Sequence, residues 1–393
     1  WRLRSIPVNL PAGVGVPRGQ LVRRLTGRGR KCSPNETGRF DIMDEILIDG
    51  SMGEGGGQIL RASLALSMAL GRPFRIENIR ANRPSPGLKR QHLTCVRAAR
   101  ELCGAEVSGD EMGSRELSFV PGPLRPGEYH FAIGSGGSIT LVLQALLPPL
   151  LTAAAPSRIT VTGGTHVPHS PPFEFMALTL LPRLEALGPH IKAEMTRPGY
   201  MQIGGGSVTV DIYPVPKLDV PEGFAESDAS APFLGAEALI YAHNLPDDVA
   251  AREQETLMQP GFAALGLTEG NIRILNQRNN PEPEGQGNAV LLILRHGQFY
   301  TVFGETGWRG RAAETVAGHA ATRALLFLKR NACMERHLTD QLIVPLALAG
   351  GGSLITETPT PHCRTCLEVA ARFTGLRAGI TPIDGNRTRI SLY

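Results

Sequence analysis

Aromatic residues are scarce in this chain: Phe, Trp and Tyr together make up 5% of 393 residues. That argues against a broad platform on which successive bases of a single strand stack. Cysteine is also rare, with six residues, so no disulfide scaffold is encoded and reduced thiols are expected. No apolar run is long enough to span a bilayer. The longest, 141–155, is broken by Gln144 and by Pro148-Pro149, so no membrane partner is expected. No His-x-Glu sequence occurs, which removes the zinc deaminases. Acidic residues are short in one place. Residues 1–42 hold nine Lys/Arg against Glu36 and Asp41, a net of +7, which leaves −3 for the remainder of a chain with overall charge +4. The sequence pI of 8.8 therefore belongs to this tail and does not by itself argue for nucleic-acid binding. The tail has neither a helical nor a strand period, and lacks the continuous apolar stretch of a secretory signal. It is expected to be a disordered or non-native extension of a cytoplasmic protein, with organised sequence from Met43.

What is present supports a sizeable core. Hydrophobic residues make up 42% and charged residues 19%, and the length predicts two domains or three. The 46 Gly and 31 Pro follow no three-residue period, so they read as tight turns between short elements and not as collagen. A pattern then repeats. Residues 45–48 read as a strand, 49–57 as a glycine loop, 58–70 as a helix and 74–79 as a strand, closed by a Pro-rich turn. Residues 131–133, 134–138, 139–155 and 158–162 repeat strand, loop, helix and strand, closed by 163–172. A looser third copy has a helix at 340–349, a loop at 350–353 and a strand at 354–357, closed by 358–362. Repetition of this kind marks one supersecondary unit used several times. Residues 214–232 read as a linker, and the following stretch to about 329 has its own strands (238–242, 289–295, 299–303), a surface loop (279–287) and a helix (311–329). The expectation is an α/β (α+β) fold: three repeated sheet-and-helix units form a large domain from 43–225 and 330–393, with a smaller α/β domain inserted at 226–329.

The chemistry-bearing residues cluster at the loops. Gly53-Glu-Gly-Gly-Gly-Gln58 joins a strand to a helix, where free N–H groups and the helix dipole favour an anion. It is neither a Walker nor a Rossmann pattern. Glu54 in that loop fits either a divalent cation bridging to a phosphate or a solvated glutamate in a tight turn. Arg61, Arg80 and Arg83 surround the loop and suit phosphate recognition, whereas Lys89, Arg90, Arg97 and Arg100 read as a solvated face. His166-Val-Pro-His169 and His337-x-x-Asp340 match no zinc spacing and read as surface or satisfied histidines. Cys363-x-x-Cys366 has no second pair and does not precede a helix in this reading, so both cysteines are expected to pack. His362 closes the third unit, where a neutral imidazole can act as a nucleophile toward phosphorus.

Taken together, Gly53-Glu-Gly-Gly-Gly-Gln-Ile-Leu-Arg61, Ile79-Arg-Ala-Asn-Arg83, Gly87-Leu-Lys-Arg-Gln-His92, Gly134-Ser-Gly-Gly-Ser138 and Asp340-Gln-Leu-x-x-Pro-x-Ala-Leu-Ala-Gly350 resemble the RNA 3′-terminal phosphate cyclase family, from Met43 to the C-terminus. The resemblance implies three units of a four-stranded sheet with two helices, plus an inserted domain. It implies ATP and a divalent metal, Mg or Mn, as cofactors and RNA 3′-phosphate ends as partners. It also implies a histidine–AMP intermediate on the way to a 2′,3′-cyclic phosphate. By position it makes His362 the adenylated residue and Glu54 a metal ligand, with Arg61, Arg80, Arg83 and Gln91 required for activity. Gln144, Pro171, Asp340 and Gln341 would line the nucleotide, together with His337, which stands where similar proteins can carry Tyr. Two other classes remain open: a non-catalytic relative that binds RNA or ribosome-assembly factors, marked by loss of these residues, and an enolpyruvyl transferase on a related repeated fold, which needs no covalent AMP.

Overall fold

Alternating apolar residues make Ile46–Asp49 (β1) a strand that buries Ile46 and Ile48 and turns Leu47 and Asp49 outward. In the computed structural model, the described residues are 45–202, 204–225, 231–277, 285–331 and 334–393. The basic tail, residues 279–284 of the 279–287 loop and part of the 214–232 linker lie outside them. After β1 come Gly57–Leu70 (α1), Phe74–Glu77 (β2), Arg90–Cys103 (α2), Glu106–Ser108 (β3) and Leu117–Val120 (β4). They form a sheet in the order β1-β2-β4-β3, with β1 and β2 parallel and the other pairs antiparallel.

The same plan follows with Glu128–Ala132 (β5), Ile139–Leu150 (α3), Ser157–Gly163 (β6), a π-helical segment Phe175–Leu180 running into Leu181–Glu185 (α4), His190–Arg197 (β7) and Gly206–Tyr213 (β8). The sheet order is β5-β6-β8-β7, again with a parallel first pair. After the intervening stretch the third copy comprises α7 and α8, at Arg336–Leu348 and Pro361–Thr374, and three strands: Gly352–Thr356 (β13), Ala378–Pro382 (β14) and Thr388–Leu392 (β15). Its sheet, β13-β15-β14, has three strands among the described residues, where the resemblance implied four. A single parallel bridge between Met334 and Thr356 stands at the place of the missing first strand. A further correction concerns the segment after β13. The closing loop ends at Thr360, and His362, Cys363 and Cys366 lie in the first two turns of α8. Thr360 caps this helix by accepting the Cys363 N–H at 3.0 Å, and Pro361 occupies the first helical position, where its missing N–H costs nothing.

The stretch between the second and third copies holds Phe233–His243 (β9), Asp247–Leu257 (α5), Ile272–Gln277 (β10), Gly287–His296 (β11), Phe299–Thr306 (β12) and Ala313–Arg330 (α6). The sheet runs β10-β9-β11-β12. Its strands alternate between two cores. Ala238, Ile240, Val290, Leu292 and Phe303 pack with α5 and α6, while Leu239, Tyr241, Leu291, Ile293 and Val302 join the large core. Burial on both faces explains the near-continuous apolar run of β11, Ala289 to Leu294.

Helix α1 is buried continuously from Gln58 to Met68, polar residues included. A helix apolar nearly all round belongs inside a bundle, and α2, α3, α7 and α8 surround it. This brings the N-termini of α1 and α8 together. Gly53, at φ 55°, lies so close to α8 that a Cβ there would fall 2.4 Å from the Thr365 hydroxyl, so only glycine fits.

Candidate active site

The glycine loop before α1 is fixed by its polar ends. Asp49 accepts from the Ser51 N–H and hydroxyl and from Asn78, and Asn82 donates to the Ser51 carbonyl at 2.9 Å. This directs Glu54 toward α8. One carboxylate oxygen, Oε2, lies 3.0 Å from His362 Nε2 and 3.0 Å from the Arg83 guanidinium. All three side chains are partly exposed. Arg83 is reached through the left-handed backbone of Arg80, φ 57°.

On the other side of His362 opens a cavity of about 460 Å³. Arg61, Gln144, Pro171, His337, Asp340 and Gln341 all line it along with His362. Arg61 is buried and its direction is set by neighbours: it donates to Gln144 at 2.9 Å and to Gln58 at 2.7 Å. Burial lowers its pKa, and no carboxylate among the described residues pairs with it to offset the charge. Such a cation favours an anionic ligand. Gln58 in turn donates to Cys366 at 3.1 Å, linking α1 to α8.

Asp340 joins the two sides. It accepts the Thr360 hydroxyl at 2.7 and 2.9 Å, and so holds the cap of the helix that carries His362. Its Oδ2 also lies 3.6 Å from His337 Nδ1. The two histidines are tuned in opposite directions. Burial is the main force lowering the His362 pKa, aided by the charges of Arg61 and His337 and opposed by Glu54 and Asp340. Burial also disfavours charge on His337, but the Asp340 hydrogen bond and the charges of Glu335 and Asp340 outweigh it, so its pKa is raised. His362 therefore stays a neutral nitrogen base at neutral pH, and its position in the first turn of α8 adds N–H groups suited to a phosphate.

Arg80 and Gln91 stand apart from the cavity wall. Arg80 donates to the carbonyls of Ser85 and Gly87 at 2.7 and 2.8 Å and so ties its own turn. Gln91 accepts the Ser138 N–H at 2.8 Å and fixes the glycine loop before α3. Arg90, Arg97 and Arg100 are exposed on α2. His166 is a buried, satisfied histidine, 2.9 Å from Glu174 and 2.8 Å from the Thr165 hydroxyl. Cys363 and Cys366 are buried free thiols, and burial pushes Cys366 up to about 12 and Cys363 higher still, which suppresses thiolate chemistry.

Among the described residues no group of three His, Cys, Asp or Glu side chains is placed to hold a metal ion. Glu54 offers one hard oxygen donor, so a divalent cation there would need phosphate oxygens and water to complete its shell. Sequence reasoning missed Gln58, His92, Glu335 and Thr360. His92 is held neutral, its pKa lowered to about 3 by burial and by Arg61, Arg80 and Lys89. Glu335 caps α7 by accepting the N–H groups of His337 and Leu338. Thr360-Pro361 and Glu335 carried helix-start signals; the contacts of Gln58 and His92 carried none.

The family model described as RNA 3′-terminal phosphate cyclase matches residues 52–380. A protein named RNA 3′-terminal phosphate cyclase from Koribacter versatilis is 44% identical over 89% of this chain and 95% of its own length. One of the same name from Salmonella enteritidis is 42% identical over 84% of this chain and 94% of its own length. A solved EPSP synthase from Acinetobacter baumannii aligns with 88% of this chain and 64% of its own at 13% identity, with a TM-score of 0.26, too low to bear on the fold or the chemistry. Agreement along nearly the full length of proteins so similar places this chain in the RNA 3′-terminal phosphate cyclase family.

Proposed function

We propose that this chain converts an RNA 3′-terminal phosphate into a 2′,3′-cyclic phosphate in a reaction coupled to ATP cleavage. Family membership supports the reaction class. The observation that carries the chemistry is His362 Nε2, in the first turn of α8, 3.0 Å from Glu54 and on the wall of a cavity lined by Arg61, Gln144, Pro171, His337, Asp340 and Gln341.

The neutral imidazole of His362 attacks the α-phosphorus of ATP. A nitrogen–phosphorus bond forms, the bond to the bridging oxygen breaks and pyrophosphate leaves. An oxygen of the RNA 3′-phosphate then attacks the same phosphorus and displaces the imidazole, giving an RNA–adenylate. Finally the 2′-hydroxyl loses its proton and attacks the 3′-phosphorus. The ring closes and AMP departs. Arg61 and Arg83 flank the nucleophile and offset the negative charge that builds on phosphorus. Glu54 accepts the His362 Nε2–H and holds the imidazole before attack; for Nε2 to reach phosphorus the ring leaves the carboxylate with its proton on Nδ1. The carboxylate also suits Mg or Mn, which when bound would screen the phosphate charge. Arg80 and Gln91 act by fixing the turn beside Arg83 and the loop before α3. On this reading the stretch 226–329 is the inserted domain and closes the nucleotide cavity from the other side, since Leu291, Val302, Thr306 and Arg323 lie on its wall.

Incubation with α-labelled ATP and a divalent metal, without RNA, tests the reading. Label is expected on the peptide containing His362, abolished by His362→Asn and retained by His337→Phe. Adding an RNA 3′-phosphate should discharge it and yield the cyclic end. AMP on His337, or no label at all, would overturn the assignment.

A further inference from the structure

We infer that a second cavity, beside Trp308, holds a nucleobase of the RNA strand upstream of the reacting 3′ end. The inference deepens the cyclase reading and rests on it. This cavity, about 520 Å³, adjoins the first, and His166, Pro168 and Thr306 line both. Its volume suits one nucleoside. Among the described residues its lining contains no Asp or Glu. Arg309 supplies positive charge, while the charge of Arg311 is offset by Glu305, and Gln202, Gln286 and Asn288 supply neutral amides. A polyanion is favoured in such a place even though the body beyond the tail carries a net negative charge.

Trp308 is the second observation. It is the single tryptophan among the described residues and is 47% exposed. The Arg311 guanidinium lies 4.3 Å from the centroid of its ring. Arg311 is itself pinned, donating to Glu305 at 2.8 Å and to the Thr306 carbonyl at 2.7 Å. The indole is thus braced by a fixed cation and still presents surface to the cavity. A braced, exposed aromatic ring beside cationic groups is the arrangement on which an unpaired base stacks, with little preference among bases.

A path connects this cavity to the reacting end. Arg90 and Gln91, a few residues beyond Arg83, hold the loop at 134–138 through the Gly134 carbonyl, at 3.1 Å, and the Ser138 N–H. That loop lies directly against the turn containing Met201. A Cβ on Gly136 would fall 1.8 Å from the Met201 carbonyl oxygen. Met201 and Gln202 are the next wall of the second cavity. Arg90, Gln91, the 134–138 loop and the turn at Met201 are thus successive neighbours that end on the wall of the second cavity.

Fluorescence and kinetics test this together. In a Trp1→Phe background Trp308 is the sole tryptophan of the chain. An oligoadenylate of about ten nucleotides with a 3′-phosphate should quench its emission saturably, and ATP alone should not. Trp308→Ala should raise KM for that oligonucleotide by about tenfold, leave KM for a dinucleotide 3′-phosphate unchanged and leave self-adenylation by ATP unchanged. Trp308→Phe, which keeps a stacking ring, should restore most of the loss. Quenching by ATP and not by RNA, an unchanged KM in Trp308→Ala, or equal losses on long and short substrates would each overturn the inference. If the unaltered protein never takes up AMP, the cyclase reading fails separately, and the quenching arm still reports whether RNA enters the cavity.

Discussion

Removing one hydroxyl, that of Thr360, should separate the stability of α8 from the chemistry of His362. The hydroxyl accepts the Cys363 N–H and donates to Asp340, and both Thr360 and Asp340 are buried. Thr360→Val keeps the shape and deletes both bonds. Loss of an N-cap costs about 1 kcal/mol, and a buried carboxylate deprived of its donor costs about 1–3 kcal/mol more. The sum, about 2–4 kcal/mol, should lower Tm by roughly 4 °C in a protein of this size. The helix start should also drift, and a nucleophile misplaced by about 1 Å loses on the order of a hundredfold in rate. Single-turnover labelling with α-labelled ATP measures that loss directly. Thr360→Ser keeps the oxygen and should recover most of both effects. If Thr360→Val lowers Tm as expected but labels at the normal rate, the cap is structural only and the claim that it positions His362 is wrong.

The acid limb of self-adenylation should lie below the ordinary histidine value of about 6.5, because the His362 pKa is lowered and only its neutral form attacks. A limb at or above that value in a rate–pH profile would contradict this. Glu54→Gln should slow labelling with little change in Tm, since Glu54 is partly exposed. It should also move the limb to still lower pH, because the Glu54 charge raises the His362 pKa; a limb shifted upward would refute the electrostatic account. Glu253 is fully buried, its Oε1 has no hydrogen-bond partner among the described residues, and burial raises its pKa to about 7. The folded state then binds the extra proton between about pH 4.5 and 7, so stability is lost as pH rises through that window, by about 3 kcal/mol in all. Glu253→Gln keeps the bond from Asn288 and leaves a buried amide. It should therefore stabilise by about 2 kcal/mol near pH 8 and not at all near pH 4.5; equal unfolding midpoints at the two pH values would refute this.

The repeat was legible because its signals are local. An apolar strand, a glycine loop and a largely apolar helix recur at 46–70 and again at 128–150, and each is written in consecutive residues. The second helix of each unit was harder. The third follows a Pro-rich closing turn of only a few residues, and Pro-His-Cys-Arg-Thr-Cys has too little apolar period to mark its start. The Thr360-Pro361 pair was the available signal. The strand β3 was missed because Glu106–Ser108 is short and carries one apolar residue. Among the site residues, the arginines and Glu54 stood out through charge beside glycine. What one sequence cannot give is the partner of each: Gln58 meets Cys366 across 308 positions, and Glu54 meets His362 across a comparable span. Nor can spacing show that Arg80 turns back on the carbonyls of Ser85 and Gly87.

On the cyclase reading, the two histidines of the third unit divide the binding of a nucleotide from the attack on it. His337 and His362 both face Asp340, but one leans toward the cation and the other toward the neutral base. On that reading a His337 that holds its proton more readily favours binding of the nucleotide anion, while a neutral His362 is needed for attack. At a single pH those demands conflict for one residue and are compatible for two. Asp340 makes the division possible. Its carboxylate raises the pKa of His337 by hydrogen bond and charge together, whereas on His362 it acts by charge alone, its oxygens toward α8 being occupied by the Thr360 hydroxyl, which holds the helix in place. Burial and Arg61 then keep the proton off His362. On the cyclase reading, replacing Asp340 with asparagine should weaken nucleotide binding and adenylation together, because the same two oxygens serve both. Nucleotide affinity measured on a His362→Asn background, where no transfer is possible, isolates the first effect. Affinity unchanged there, with labelling still lost in the otherwise normal chain, would confine Asp340 to the support of α8.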